Sequence, residues 1–218
     1  MSTSSAAPDA SRPSTAPTPL VAFQRRLEAA SVTTVALALA AAGIVLDQAT
    51  KLLAERVLDG GVFVPWLGDQ VGWQLVFNPG AAFGIPAPPW VFLVVTIIVV
   101  GVVARALPTS ATLLQGVAYG LLLSGALGNL IDRLLRARDG FLTGEVVDFV
   151  AWGSFPRFNL ADSWITVGFA LLVVALWREE RALAGARSAD DAADADDAAD
   201  ADDAADVGDA ADVAGERA

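Results

Sequence analysis

The chain has 218 residues, 55% of them hydrophobic, and a mean hydropathy of +0.53, which excludes a disordered body and points to a polytopic membrane protein. It contains neither Cys nor His, so disulfides, thiol nucleophiles, Ser-His triads and the usual zinc ligands are all removed. The formal net charge of −11 is carried by residues 189–218, which hold eleven Asp, one Glu and one Arg; the remainder is neutral, with 13 acids and 13 bases, so the acidity says nothing about a substrate.

Residues 1–24 read as a disordered lead, rich at first in Ser, Thr, Pro and Ala, and without the basic start and apolar core of a secretory signal. Residues 25–184 read as a four-helix membrane domain, with helices expected at about 32–54, 89–106, 110–132 and 161–178. The first and fourth apolar runs reach spanning length only if they include their flanking acids or Arg178, whose long side chain can snorkel. Between helices one and two, Val71, Trp73, Leu75 and Phe77 alternate with Gly72, Gln74 and Val76 and stop at Asn78-Pro79-Gly80, a weak strand pattern ended by a turn. This predicts a small β platform against the membrane surface, with Trp66, Trp73, Trp90 and Trp152 as an interfacial belt. The fold class expected is therefore an all-α integral membrane protein with four transmembrane helices, a small extracytoplasmic β platform and disordered termini. Residues 185–218 form an Asp/Ala tail, expected to be disordered because like charges repel.

A carboxylate at membrane depth is costly and is read by default as functional. Asp47, Asp132, Asp148 and Asp162 all lie at or beside the ends of apolar runs. Four spans put both termini on one side, so helices one and three end, and helix four begins, on the opposite face. Asp47, Asp132 and Asp162 then share one depth, and Asp148, in the short connection on that face, can join them.

Asp47 and Lys51, the only lysine, are spaced i,i+4 on one helix face; mutual neutralisation competes with a functional role, and a Ser-Lys protease is disfavoured because no Ser neighbours Lys51. Asn78 opens a turn that is either plain or a contact to a peptide. Gly128, Asn129, Asp132 and Arg133 put an amide, an acid and a base at the end of an apolar helix, as either a functional group or a structural polar network. Asp148, flanked by Val146, Val147, Phe149 and Val150, and Asp162, at the start of a membrane helix, are the central pair. Two carboxylates held close in apolar surroundings cannot both ionise, which supplies an acid and a base from identical side chains. A role as helix caps or structural acids stays open from the residues alone.

Five blocks occur in order across the four spans: DQATK, FNPGAAFG, GALGNLIDR, VVDF and FNLADS. In these blocks the chain resembles the bacterial lipoprotein signal peptidases, also called signal peptidase II. The resemblance covers about residues 32–178. It implies a bacterial cytoplasmic-membrane protein with cytoplasmic termini and an active site at the outer face. It also implies cleavage of prolipoprotein signal peptides just before a diacylglyceryl-modified cysteine. The resemblance assigns the catalytic pair to Asp148 and Asp162, and supporting or substrate-binding roles to Asp47, Lys51, Asn78, Asn129, Asp132, Arg133 and Asn159. It implies no cofactor and no metal; the expected partners are prolipoprotein substrates and membrane lipids, not nucleic acid, and the expected state is a monomer. The stretch RLLRARDGFLTGEV (133–146) is longer than in the shortest members, and the Asp/Ala tail has no counterpart in the motif blocks.

The basic residues are nearly balanced between the two faces, so charge does not set the orientation. A small transporter or proton relay is the first rival reading and expects acids spread through the membrane depth. A structural subunit with a buried polar network is the second.

Overall fold

A computed structural model describes residues 19–80, 87–110, 112–138 and 140–215. Most of the expected lead, and Ala81 to Gly84 of the turn block, lie outside the described residues. The elements in chain order are α1 (Pro19–Val57), β1 (Val64–Leu67), β2 (Val71–Asn78), α2 (Pro89–Ala106), a single 3-10 turn (Leu107–Thr109), α3 (Leu113–Leu135), β3 (Val146–Trp152), β4 (Phe155–Phe158) and α4 (Leu160–Gly215). Among the described residues, four helical stretches are long and apolar enough to cross a membrane: 30–57, 90–109, 113–135 and 160–189.

α3 is the central span. Its start is fixed by a capping box, in which the Thr112 hydroxyl accepts from the Gln115 N–H and the Gln115 side chain accepts from the Thr112 N–H. Lipid offers no hydrophobic drive for helices to associate, so close contact depends on small residues. A Cβ on Gly120 would lie 2.7 Å from the Ala36 carbonyl oxygen and 2.9 Å from Leu39 Cβ; one on Gly116 would lie 3.0 Å from the Val32 carbonyl. α1 therefore packs backbone-close on α3. Val32, Ala36, Ala40, Val103, Leu107, Tyr119 and Leu123 form the core of this end of the bundle.

The four strands form one antiparallel sheet in the order β1-β2-β3-β4. The weak alternating pattern anticipated β2; β3 and β4 replace what the sequence suggested was a plain connection. VVDFVAW is buried on both faces over most of its length, so it carries no alternation to read. A second cluster, Ala54 of α1 with Leu75, Val147 and Phe149, fastens the sheet to the end of α1. Trp66 stacks on Trp73 at 5.7 Å between ring centroids, and Trp73 packs against Phe149.

Two helix ends differ from expectation. α1 starts at Pro19 rather than near residue 32, because proline is tolerated in a first helical turn and the following residues are sound helix formers. α4 runs to Gly215, so residues 185–215 are helical where charge repulsion led us to expect disorder. Alanine, the strongest helix former, makes up much of that stretch and opposes the repulsion. The 133–146 insert folds back on the end of α3. The Gly144 N–H donates to the Arg133 carbonyl at 3.1 Å, and Leu142 takes a left-handed φ of 65° with its side chain buried.

The α1–α3 contact gives a direct test. Gly120→Val must push against a backbone carbonyl that cannot rotate away, so thermal unfolding in detergent should show a loss of about 1–3 kcal/mol. Gly101→Val, at a helix position where a Cβ meets nothing within 4 Å, should leave the midpoint nearly unchanged.

Candidate active site

The bundle brings all nine sequence-predicted residues into one connected network where α1, α3 and α4 meet the sheet. Its base is a buried charge cluster. Lys51 is fully buried, and its Nζ lies 2.8 Å from Asp47 Oδ2, 2.8 Å from Asp132 Oδ2 and 3.0 Å from Asn129 Oδ1. Three donors thus meet three acceptors. A saturated ammonium beside two carboxylates is no general base, which removes the Ser-Lys alternative. The mutual neutralisation read from the i,i+4 spacing is present, but Asp132 from α3 shares in it.

Each acid of this cluster also orders backbone. Asp47 Oδ1 accepts from the Ala161 N–H at 2.9 Å and so pins the start of α4 to α1. Asp132 Oδ2 accepts from the Val147 N–H at 3.2 Å and pins β3 to α3. Gly128 makes room, since a Cβ there would sit 2.7 Å from Asp47 Oδ2. Gln48, Glu55 and Arg136 complete the cluster, and no sequence signal singled them out. Gln48 Nε2 donates to the Gly128 carbonyl and to Asp132 Oδ1; Arg136 bridges Asp132 and Glu55. Their polarity at a helix end was visible, but their partners come from other helices.

The second layer holds Asp148 and Asp162. Asp148 sits in β3 opposite Val76 and is 2% exposed. Asn78 lies on the same face of the sheet, diagonally across the β2–β3 pair, and its Nδ2 donates to Asp148 Oδ2 at 3.0 Å. The Gly80 N–H donates to Asn78 Oδ1 at 2.9 Å and fixes which way that amide faces. Asn159 Nδ2 donates to Asp148 Oδ1 at 2.7 Å. Asp162, in the first turn of α4, accepts from Asn129 Nδ2 at 2.8 Å on Oδ1 and from the Asn159 N–H at 3.1 Å on Oδ2. The Asp162 N–H in turn donates to Asn159 Oδ1. Asn159 is thus the bridge between the two acids.

Burial, and next the negative charge of Asp162, push the Asp148 carboxyl up to about 7; the Asn78 and Asn159 donors and Lys51 oppose the rise without cancelling it. Asp148 therefore keeps its proton where an exposed carboxyl has lost it. Arg133 closes the site on the α2 side. Its Nη2 donates to the Gly80 carbonyl at 2.6 Å, its Nη1 approaches the Pro79 and Gly144 carbonyls at 3.4 Å, and its guanidinium lies 3.4 Å from the centre of the Phe92 ring. Among the described residues, no group of three or more His, Cys, Asp or Glu is arranged to hold a metal ion.

Fold and site together define a four-span membrane protein with paired carboxylates, held by amides, at one end of its bundle. The chain belongs to the signal peptidase II family: the family model described as signal peptidase (SPase) II matches residues 39–178. It is therefore a bacterial membrane protease. It is 44% identical over 142 residues to the lipoprotein signal peptidase of Mycobacterium avium (strain 104), covering 63% of this chain and 76% of that protein. It is 43% identical over 165 residues to the lipoprotein signal peptidase of Rhodococcus jostii (strain RHA1), covering 73% and 77%. A solved bacterial membrane enzyme superimposes with a TM-score of 0.59 at 34% identity, covering 66% of this chain and 88% of that one.

The charge cluster predicts the cost of breaking it. Asp132→Ala leaves Lys51, Arg136 and the Val147 N–H without their shared acceptor, and an uncompensated buried charge costs about 3–5 kcal/mol. Folded yield and thermal midpoint should both fall steeply, while Glu55→Ala, which removes a partly exposed partner, should cost less than about 1 kcal/mol.

Proposed function

We propose that this protein is an aspartic endopeptidase that removes the signal peptide from diacylglyceryl-modified prolipoproteins, cutting before the lipidated cysteine, with Asp148 and Asp162 as its catalytic pair. The observation that carries this reading is the asymmetry of the pair: Asp148 is buried in the sheet and holds its proton to about pH 7, while Asp162 accepts from an amide and a backbone N–H. Family membership and the names of the relatives support the substrate class.

In this reading Asp162 takes a proton from a water molecule as its oxygen attacks the scissile carbonyl carbon. The Asp148 proton stabilises the carbonyl oxygen as charge develops there. The tetrahedral intermediate then collapses, the C–N bond breaks, and the proton held by Asp162 passes to the departing amine. Asn78, Asn129 and Asn159 hold the two carboxyls, and Arg133 lines the approach between the turn after β2 and α2.

Both termini are assigned to the cytoplasm and the site to the outer face, with the sheet over the outer leaflet and the protein acting as a monomer among membrane lipids. The one-sided gathering of the acids favours this peptidase reading over a transporter or proton relay, which needs acids through the membrane depth.

Lipid anchoring gives the test. Two acyl chains, at about 0.8 kcal/mol per buried methylene, hold the cysteine at the depth of the site. The purified enzyme should cleave a diacylglyceryl prolipoprotein and leave the unlipidated precursor intact in a side-by-side gel-shift assay. Asp148→Asn and Asp162→Asn should each abolish cleavage without loss of folded protein. The wild-type rate should fall as pH rises through about 7, because the acid role ends when Asp148 loses its proton. Near wild-type turnover in either variant, or equal cleavage of both substrates, contradicts the assignment.

A further inference from the structure

We infer that Lys51 is a positioning residue for the reaction: it fixes the direction of the Asn129 side-chain amide, and through it the donor presented to Asp162. The inference rests on the assignment of Asp148 and Asp162 as the working pair, and extends it to a residue that touches neither.

The argument is one of hydrogen-bond polarity. An ammonium donates and cannot accept. The Asn129 side-chain atom 3.0 Å from Lys51 Nζ must therefore be the carbonyl oxygen. The other end of that amide is then the NH2 group, and it faces Asp162 Oδ1 at 2.8 Å. Asn159 obeys the same logic independently. The Asp162 N–H can only donate, so the Asn159 atom at 3.0 Å from it is the carbonyl, and its NH2 group faces Asn129 Oδ1 at 3.1 Å and Asp148 Oδ1 at 2.7 Å. Two donors, Lys51 Nζ and Asn159 Nδ2, thus converge on Asn129 Oδ1. Asn78 is locked by the Gly80 N–H. Of the three amides around the pair, Asn129 alone meets an ionised lysine, which acts together with Asn159 Nδ2 to turn its carbonyl away from Asp162. If that amide turned over, a carbonyl oxygen would face a carboxylate oxygen at hydrogen-bond distance, and the ionised form of the pair would be disfavoured.

Lys51 does this from a site with no exposure and with its charge already matched. The charged groups facing the pair are Lys51 on α1 and Arg133 on α3, with Asp47 and Asp132 behind them on Lys51; α2 presents the Phe92 ring against Arg133. Replacing Lys51 alone would strand two buried carboxylates and test folding rather than polarity. Asp47→Asn supplies a balanced background. Once Lys51 is also replaced, it keeps the net charge of the native cluster, and its Oδ1 can still accept from the Ala161 N–H.

In that background, Lys51→Gln and Lys51→Met are close in size and equal in charge. Gln offers an NH2 group to Asn129 Oδ1 and Asp132 Oδ2; Met offers none. Turnover of a lipidated prolipoprotein would be measured against pH for both double variants. The Gln variant should keep the faster turnover of the two. The Met variant should lose about 10²-fold in kcat relative to the Gln variant, with KM little changed. Superimposable Gln and Met profiles, at matched thermal midpoints, would overturn the role of Lys51. Inactivity caused by a wrong choice of catalytic pair is told apart by the separate Asp148→Asn and Asp162→Asn assays, which do not involve Lys51.

A second measurement needs no altered cluster. In the native chain labelled with 15N-asparagine, the Asn129 side-chain NH2 signal, identified by its absence in Asn129→Leu, should move as the pair titrates. A signal that stays fixed across the titration would mean that this NH2 group does not face the pair, and would overturn the inference even if the double variants fail to fold.

Discussion

Lys51 and its three acceptors are the constraint on which the rest of this structure depends. Burying an ammonium and two carboxylates costs several kcal/mol per ion, and here the cost is offset only because α1 and α3 approach closely enough for all three donors to be used. That closeness requires glycine where the helices touch, at Gly116, Gly120 and Gly128. The same acids then reach beyond the cluster: Asp47 takes the Ala161 N–H at the start of α4, and Asp132 takes the Val147 N–H of β3. One ion cluster thus sets where the fourth span begins and where the sheet attaches.

Those two attachments are what bring Asp148 and Asp162 together. Asp148 comes from a strand and Asp162 from a helix, so each meets a different environment although the side chains are identical. Asp148 is enclosed by the sheet and keeps its proton; Asp162 lies in the first turn of α4 beside Asn129 and the Asn159 N–H. In the proposed reading, an acid and a base arise from position alone, in a chain without His or Cys. Asn129 and Asn78 are oriented from outside the pair, by Lys51 and the Gly80 N–H, and Asn159 by the Asp162 N–H.

Much of this was legible in the sequence, for physical reasons that can be named. A span must be about 20 apolar residues long, so four runs gave four helices, and the parity of the spans put Asp47, Asp132 and Asp162 at one end. The i,i+4 spacing of Asp47 and Lys51 announced their contact. The role of β3 was not legible: VVDFV is buried on both faces and looks like any short apolar run. Gln48, Glu55 and Arg136 were also hidden, because their partners lie on a different helix and local spacing carries no information about that. In the tail, repulsion between aspartates and the helix preference of alanine oppose each other, and weighing repulsion alone gave disorder where the structure has helix.

The central claim is that Asp148 holds a proton beside Asp162. Infrared difference spectra of the purified enzyme, recorded across a pH titration in wild type and in Asp148→Asn, test this without substrate. The account predicts a protonated-carboxyl C=O band in the wild type that fades as pH rises through about 7 and is missing in Asp148→Asn. A titrating band that persists in Asp148→Asn, or no titrating carboxyl band in the wild type, would contradict it.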